Sequence, residues 1–312
     1  MARMSGRENQ EGFWATTREI FIILLVIFLI RTFGFGLYQV PTGSMETTML
    51  VGERFFADKF TPLFRPIHRG DIIALNAPTF PYSTNPIKNF WQMYFWGPDN
   101  WTKRVIGIPG DKIKGVLEEG KPVIYLNGHK LVEPYLNKYP LIEVRTKPCS
   151  FFVRGDVIKK SYDPSVSYED QPFYRLESRC VMKDISGKPV LLEPQAGLPS
   201  PRGATVFGVA PAGNYWDCSD EFSVELGKNE YWLMGDNRRG SADSRCIGPV
   251  SGKLIHGKIV FRILSIDTDD SAGRPDASWL SWFKSFLLVD LVLHPIDFWS
   301  RVRWNRLFQP VH

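Results

Sequence analysis

An uninterrupted apolar run of 11 residues, Ile20 to Ile30, opens the hydrophobic pattern of the chain. Spanning a bilayer takes about 20 helical residues. The stretch from Trp14 to about Phe33 reaches that length by admitting Arg18, Glu19 and Arg31, charges near enough to its ends to extend to the interface. A cleaved leader would carry a small-x-small site after the run, whereas Gln39-Val40-Pro41 stands there. A buried core helix would show a polar face. The pattern predicts an uncleaved transmembrane anchor over 14–37, behind a short tail of 1–13. Arg3, Arg7 and Arg18 ahead of it place the N-terminus in the cytoplasm.

From about Tyr38 the pattern shortens into β-rich runs closed by turn residues. Asp71–Leu75, Lys103–Ile108, Val123–Leu126 and Lys258–Leu264 are examples, and Asn127-Gly128 after the third marks a hairpin. The expected fold class is mainly β: an antiparallel β-sheet domain over 38–111 and 230–275, with an inserted β-rich subdomain over 112–229. Two aromatic stretches interrupt this scheme. Phe80–Trp101 is a loop with eight aromatic residues, read as an interfacial or substrate-facing excursion. The C-terminal segment 276–312 contains Trp279–Trp304, which Pro295 breaks; it either lies in a membrane interface or packs on the protein itself.

Composition adds exclusions. A net charge of +5, with no Lys/Arg run, argues against nucleic acid as a partner. The abundance of rings, 10 Trp and 22 Phe, suits a membrane interface. Cys149, Cys180, Cys218 and Cys246 form no C-x-x-C pair, so no zinc site is expected. They are either buried thiols or, outside the cytosol, one or two disulfides.

Four segments crowd reactive groups against glycine. In Pro41-Thr42-Gly43-Ser44-Met45 a serine beside glycine can expose its hydroxyl in a tight turn, although such a pair is commonly a turn and nothing more. Lys103-Arg104 opens the apolar strand Val105-Ile-Gly-Ile-Pro-Gly110-Asp111, where desolvation can keep an amine neutral; an edge lysine reaching into water is the alternative. Arg69-Gly70-Asp71 enters another strand. Gly235-Asp-Asn-Arg-Arg-Gly-Ser241-Ala-Asp243-Ser-Arg245 alternates opposite charges with hydroxyls, as a positioning network would. None of the five His residues lies in these segments, which disfavours a Ser–His–Asp triad.

Together the four segments resemble the bacterial type I signal peptidases, or leader peptidases. That family has a serine box after a membrane anchor, an R-G-D strand, a K-R-x-x-G-x-P-G-D strand and a G-D-N-x-x-x-S-x-D-S-R loop. The ending Trp304–His312 is also similar. The resemblance implies a membrane-bound serine endopeptidase that removes signal peptides after small-x-small motifs, with no cofactor and no metal. It implies Ser44 as nucleophile, Lys103 as general base, and Thr42 with the Ser44 N–H as oxyanion donors. Ser241 would orient Lys103, supported by Asp243, Arg245, Arg104 and Asp236. Tyr38, Val40, Met45, Met49 and Thr102 would line the substrate pocket. Thr47 and Thr102 depart from the family, which commonly has Pro and an apolar residue there. The implied place is the inner membrane, with the catalytic domain on the periplasmic side. The implied partners are preproteins and the lipid bilayer, with the protein translocation machinery a further candidate. Two rivals remain at this stage: a Ser–Lys peptidase of narrower task, such as conjugation-protein maturation, and a non-catalytic anchored β domain that binds secretion components.

Overall fold

The computed structural model describes residues 2–40, 42–50, 52–95, 97–119, 121–137, 141–145, 157–161, 190–193, 205–209, 218–266, 295–300 and 302–311. Pro41, Cys149, Cys180, most of the expected insert and the stretch 267–294 lie outside them.

Helix α1, Ala2–Leu29, passes through a π-helical turn, Ile30–Gly34, straight into β1, Phe35–Gln39. Among the described residues no helix is long and apolar enough to cross a membrane. The expected anchor is therefore present as a helix but falls short of a span. Arg18 and Glu19 precede its apolar part, and regular helix stops at Leu29. Large apolar side chains from Ile20 to Ile30 nevertheless stand in the open, Phe21 at 65% and Leu24 at 60% exposure.

The main sheet is built from β1, β2 (Arg54–Asp58), β3 (Ile72–Asn76) and β4 (Asn100–Gly107), joined later by three strands from residues 230–264. Between β3 and β4 the chain makes helix α2, Pro86–Tyr94, whose N-terminus is capped by the Asn85 side chain. A second, four-stranded sheet follows: β5 (Lys112–Glu118), β6 (Lys121–Leu126) and β7 (His129–Lys130), with β12 (Phe222–Glu225) on the free side of β5. Asn127 and Gly128, at φ 52° and 84°, turn β6 into β7 as their sequence predicts. Strands β8 (Leu141–Arg145), β9 (Val157–Ser161), β10 (Val190–Glu193) and β11 (Thr205–Val209) form a third sheet, in which the β10–β11 pair is parallel.

The chain then returns to the main sheet through β13 (Glu230–Met234), the short helix α3 (Ser244–Ile247), β14 (Val250–Ser251) and the long β15 (Ile255–Leu264). The order is β1-β2-β15-β3-β4-β13-β14, all antiparallel, with β16 (Gln309–Pro310) added beside β15. Mainly antiparallel β architecture is thus as expected.

Strand β3 reads Ile-Ile-Ala-Leu-Asn and is buried at every position because it is central and covered on both faces. Strand β2 alternates instead, burying Phe55 and Ala57. One core joins these two side chains with Val40, Met45, Met49, Ile72, Ala74 and Ile259. The C-terminal stretch closes it: Val311 enters the same core, and Val302 and Phe298 pack on Ile266. Phe55→Ala, at a ring with 0% exposure, is expected to cost about 3–5 kcal/mol of stability, read as a lowered denaturant midpoint at unchanged slope.

Candidate active site

Strand β1 sits at the sheet edge, and the chain beyond it is held by paired backbone bonds, Val40 N–H to Glu53 O and Gly52 N–H to Val40 O, both 2.9 Å. Thr42 is extended, and Gly43–Met45 close a 3-10 turn that lifts Ser44 out of the strand path. The two flanking methionines fix this turn from below: Met45 and Met49 are each 1% exposed, in the core with Val40. A Cβ at position 43 would come within 2.8 Å of the Glu46 carboxyl, which would have to shift to admit it.

Lys103 lies on β4, opposite Ile73 of β3, and only 5% of it is exposed. Its Nζ stands 5.6 Å from the centre of the Trp101 ring. Burial drives the amine down from its ordinary value to about 8, and the nearby charge of Arg245 acts in the same direction. Asp243 and Asp236 oppose the shift. An amine titrating there is a usable base at neutral to alkaline pH, unlike a free lysine near ~10.4, which is unprotonated in roughly one molecule in 2,500 at pH 7.

Because Met234 pairs with Arg104, β13 delivers the 235–243 loop beside Lys103. Three anchors hold that loop. Asp243 caps α3 and accepts the Gly235 N–H at 3.0 Å. Arg245 bonds Asp243 through Nε at 2.9 Å and Asp220 through Nη1 at 2.7 Å, and also donates to the Arg238 carbonyl. Burial pushes the Asp243 carboxyl up, but the Arg245 charge and the bonds from Arg245 and Gly235 hold it below its usual value. The third anchor is a fork: Arg104 donates through Nε and Nη2 to both Asp236 oxygens, each at 2.8 Å, with both side chains buried.

The loop also grips the serine turn. Asn237 donates its backbone N–H to Ser44 O at 3.1 Å and its side-chain amide to Gly43 O at 3.0 Å. At Gly235 an added Cβ would stand 2.3 Å from Ser241 Oγ and 2.4 Å from Ser44 O, so the Ser241 side chain and the Ser44 carbonyl both close on the space that a missing side chain leaves. Thr48 adds a further tie, its hydroxyl donating to Asp236 at 2.5 Å. A disulfide between Cys218 and Cys246 joins the chain before β12 to α3.

Expected site residues accordingly fall into two groups. Asp243 with Arg245 and Asp236 with Arg104 are bonded pairs, and Asp243, Arg245 and Asp236 act on Lys103; Ser44 is held through Asn237, and buried Ser241 donates its hydroxyl to the Ala242 carbonyl at 3.4 Å. Val40, Met45 and Met49 are buried beneath the serine turn, whereas Tyr38 and Thr102 are half-buried. The Tyr38 hydroxyl lies 3.1 Å from His256 Nδ1, and His256 Nε2 lies 2.8 Å from Asn100 Oδ1. Burial and the Lys59 charge hold His256 neutral, down to about 3. Sequence reasoning missed Gly235, Asn237 and Thr48 as parts of the site. The first two lay inside a run already marked, but nothing in their spacing told a close backbone approach from an ordinary turn. Among the described residues no group of three or more His, Cys, Asp or Glu stands together as a metal site requires.

Comparison with protein families matches residues 13–264 to "Signal peptidase, peptidase S26". The chain belongs to this signal peptidase family. Membership carries the activity: the chain is a serine peptidase that removes signal peptides. Its relatives include Signal peptidase I of Buchnera aphidicola subsp. Schizaphis graminum, 27% identical over 269 residues, or 80% of this chain and 75% of that protein. The enzyme of the same name from Buchnera aphidicola subsp. Acyrthosiphon pisum is 26% identical, covering 85% and 79%. One from Bacillus amyloliquefaciens is 31% identical over 132 residues, 42% of this chain and 58% of that one. A crystal structure of a signal peptidase I from Enterococcus faecalis V583 is 20% identical and covers 62% of this chain and 97% of that one, with a TM-score of 0.26.

In this family member, Gly235→Ala is expected to force the 235–243 loop away from the serine turn. Signal-peptide cleavage should fall about 10²-fold in kcat with the circular dichroism spectrum unchanged, as steady-state kinetics on one synthetic substrate will read.

Proposed function

We propose that this chain cleaves signal peptides with a Ser44–Lys103 dyad, in a β domain tethered to the membrane by residues 14–37. The observation that carries the reading is the lysine: a buried amine lowered to about 8, beside a loop bonded to the serine turn. Neutral Lys103 takes the Ser44 proton as Oγ attacks the scissile carbonyl carbon. The oxyanion forms facing the Ser44 N–H and the Thr42 hydroxyl. When the C–N bond breaks, Lys103 returns the proton to the leaving amine. It then takes one from the water that hydrolyses the acyl-enzyme, and regenerated Ser44 receives it back. Ser241 orients Lys103, Asp243 and Arg245 brace its loop, and Arg104 with Asp236 holds the neighbouring turn. Apolar Val40, Met45 and Met49, with Tyr38 and Thr102, shape shallow pockets for small side chains, which suits small-x-small substrates.

The exposed apolar side chains of α1 support a helix in lipid. The Cys218–Cys246 disulfide supports an oxidising compartment, and so the outer side of the bacterial inner membrane, for the β domain.

Ser44→Ala and Lys103→Met should each abolish cleavage of a preprotein, followed by mass analysis of the products, while both proteins purify folded. In the parent enzyme the protonated lysine cannot act as base, so the rate should climb with pH through about 8 and level off above it. An active Ser44→Ala, or a limb centred well below pH 7, would overturn the dyad.

Thr42→Val keeps shape and volume but removes the hydroxyl. If that group donates to the oxyanion, kcat should drop about 10²–10³-fold, with KM far less affected. Thr42→Ser should stay near the parent rate. A valine variant within threefold of the parent would leave Thr42 as a turn residue alone.

A further inference from the structure

Besides the backbone bonds of Gly52 and Glu53 to Val40, the loop that follows the serine turn is held by a buried ionic hub that reaches to the far end of the chain. Glu53, 0% exposed, accepts from Arg262 Nε at 3.0 Å, Arg306 Nε at 2.6 Å, Ser265 Oγ at 2.7 Å and Leu50 N–H at 2.9 Å. One carboxylate cannot satisfy two guanidiniums, and the surplus donors turn to loop carbonyls. Arg262 Nη2 donates to Thr48 O at 2.7 Å, while Arg306 Nη2 reaches Thr48 O at 3.1 Å and Thr47 O at 3.4 Å. Arg306 comes from the 3-10 turn Trp304–Arg306, and Gln309, next along the tail, accepts from Arg262 Nη1 at 3.2 Å.

From Thr48 the network continues into the site. Its hydroxyl donates to Asp236, Asp236 forks with Arg104, and Asp236 is among the charges acting on Lys103. The two guanidiniums thus hold the backbone immediately beyond Ser44, and the held residue touches the carboxylate that neighbours the base. We infer that Arg306 and the tail segment 304–311 position the Ser44 loop for catalysis, acting through Thr48 and Asp236 without touching substrate. This rests on the Ser44–Lys103 reading.

The test uses the full-length protein with a synthetic signal-peptide substrate. Arg306→Met should lower kcat roughly tenfold to a hundredfold while KM stays within about threefold, since misplacement of a reacting group weakens the chemical step more than binding. Arg306→Lys, which keeps the charge at Glu53 but loses the Nη2 bond to Thr48 O, should fall between. Thr48→Val should lower kcat, Thr48→Ser should restore it, and combining Thr48→Val with Arg306→Met should add little beyond the larger single effect, because both break one path. Thermal unfolding run alongside separates folding from positioning. A folded Arg306→Met with parent kcat, or losses that multiply independently in the double variant, overturns the inference. Ser44→Ala in the same assay separates the two levels: if it is active the dyad reading fails, and if it is inert while Arg306→Met is unimpaired only the positioning role fails.

Discussion

Keeping a lysine amine inside a β-sheet constrains nearly everything around it. Desolvation disfavours the charged form and favours the free base, but only if no carboxylate nearby recaptures the proton. Two carboxylates do stand close, and both raise the Lys103 pKa. Each is committed elsewhere: Asp236 to the Arg104 fork, Asp243 to Arg245. The guanidiniums neutralise most of the field that the carboxylates would project onto the amine, and Arg245 itself pushes the proton off. Loss of either arginine would leave a buried, unpaired carboxylate, a strongly unfavourable state, and would send Lys103 back toward the cation. The charge alternation of the 235–245 run therefore serves the electrostatics of one neighbour on β4.

Placement of the serine turn follows a different rule, hydrogen bonds made to the carbonyls of its backbone. Asn237 bonds two carbonyls of that turn, and Gly235 lets the Ser44 carbonyl approach where any side chain would intrude. Bonds made to a turn's carbonyls by a buried asparagine hold it more tightly than surface ion pairs could. Apolar packing of Met45 and Met49 underneath completes the constraint.

This division explains what was legible in advance. Strand β3, the Asn127-Gly128 hairpin and the antiparallel class follow from local pattern, because burial on two faces and positive φ leave marks in a few adjacent residues. The grouping of the four motif segments was legible through their resemblance to a family. Their contacts were not, since Thr48 with Asp236 and Glu53 with Arg306 are joined across 188 and 253 residues. The apolar run at Ile20–Ile30 shows the limit from the other side: it predicts a span, yet Arg18, Glu19 and the π-helical turn leave a helix that does not qualify as one. Cys218 and Cys246 formed no recognisable spacing, and only the fold reveals why they pair.

The junction between helix and sheet bears on where cleavage can occur. Lys59 donates its ammonium to Arg31 O at 3.0 Å and its backbone N–H to Gly34 O at 3.1 Å, riveting the end of the helical segment to β2. Phe28 stacks on Phe95 at 4.7 Å, bringing the end of α2 against the same helix, and Ile87, Phe90 and Trp91 of α2 are exposed. With α1 in lipid, as proposed, those side chains lie at interface depth, where aromatic rings are stable. Strand β1 then spans roughly 17 Å at about 3.3 Å per residue before the chain turns to Ser44. A nucleophile held by one short, rigid strand at a set height from the bilayer meets only those bonds that emerge at that height. With residues 14–37 in lipid and Ser44 as nucleophile, as proposed, the tether would work as a ruler as well as an anchor, admitting a bond that closely follows a membrane-embedded segment and passing over the same small-x-small motif farther out in a folded domain.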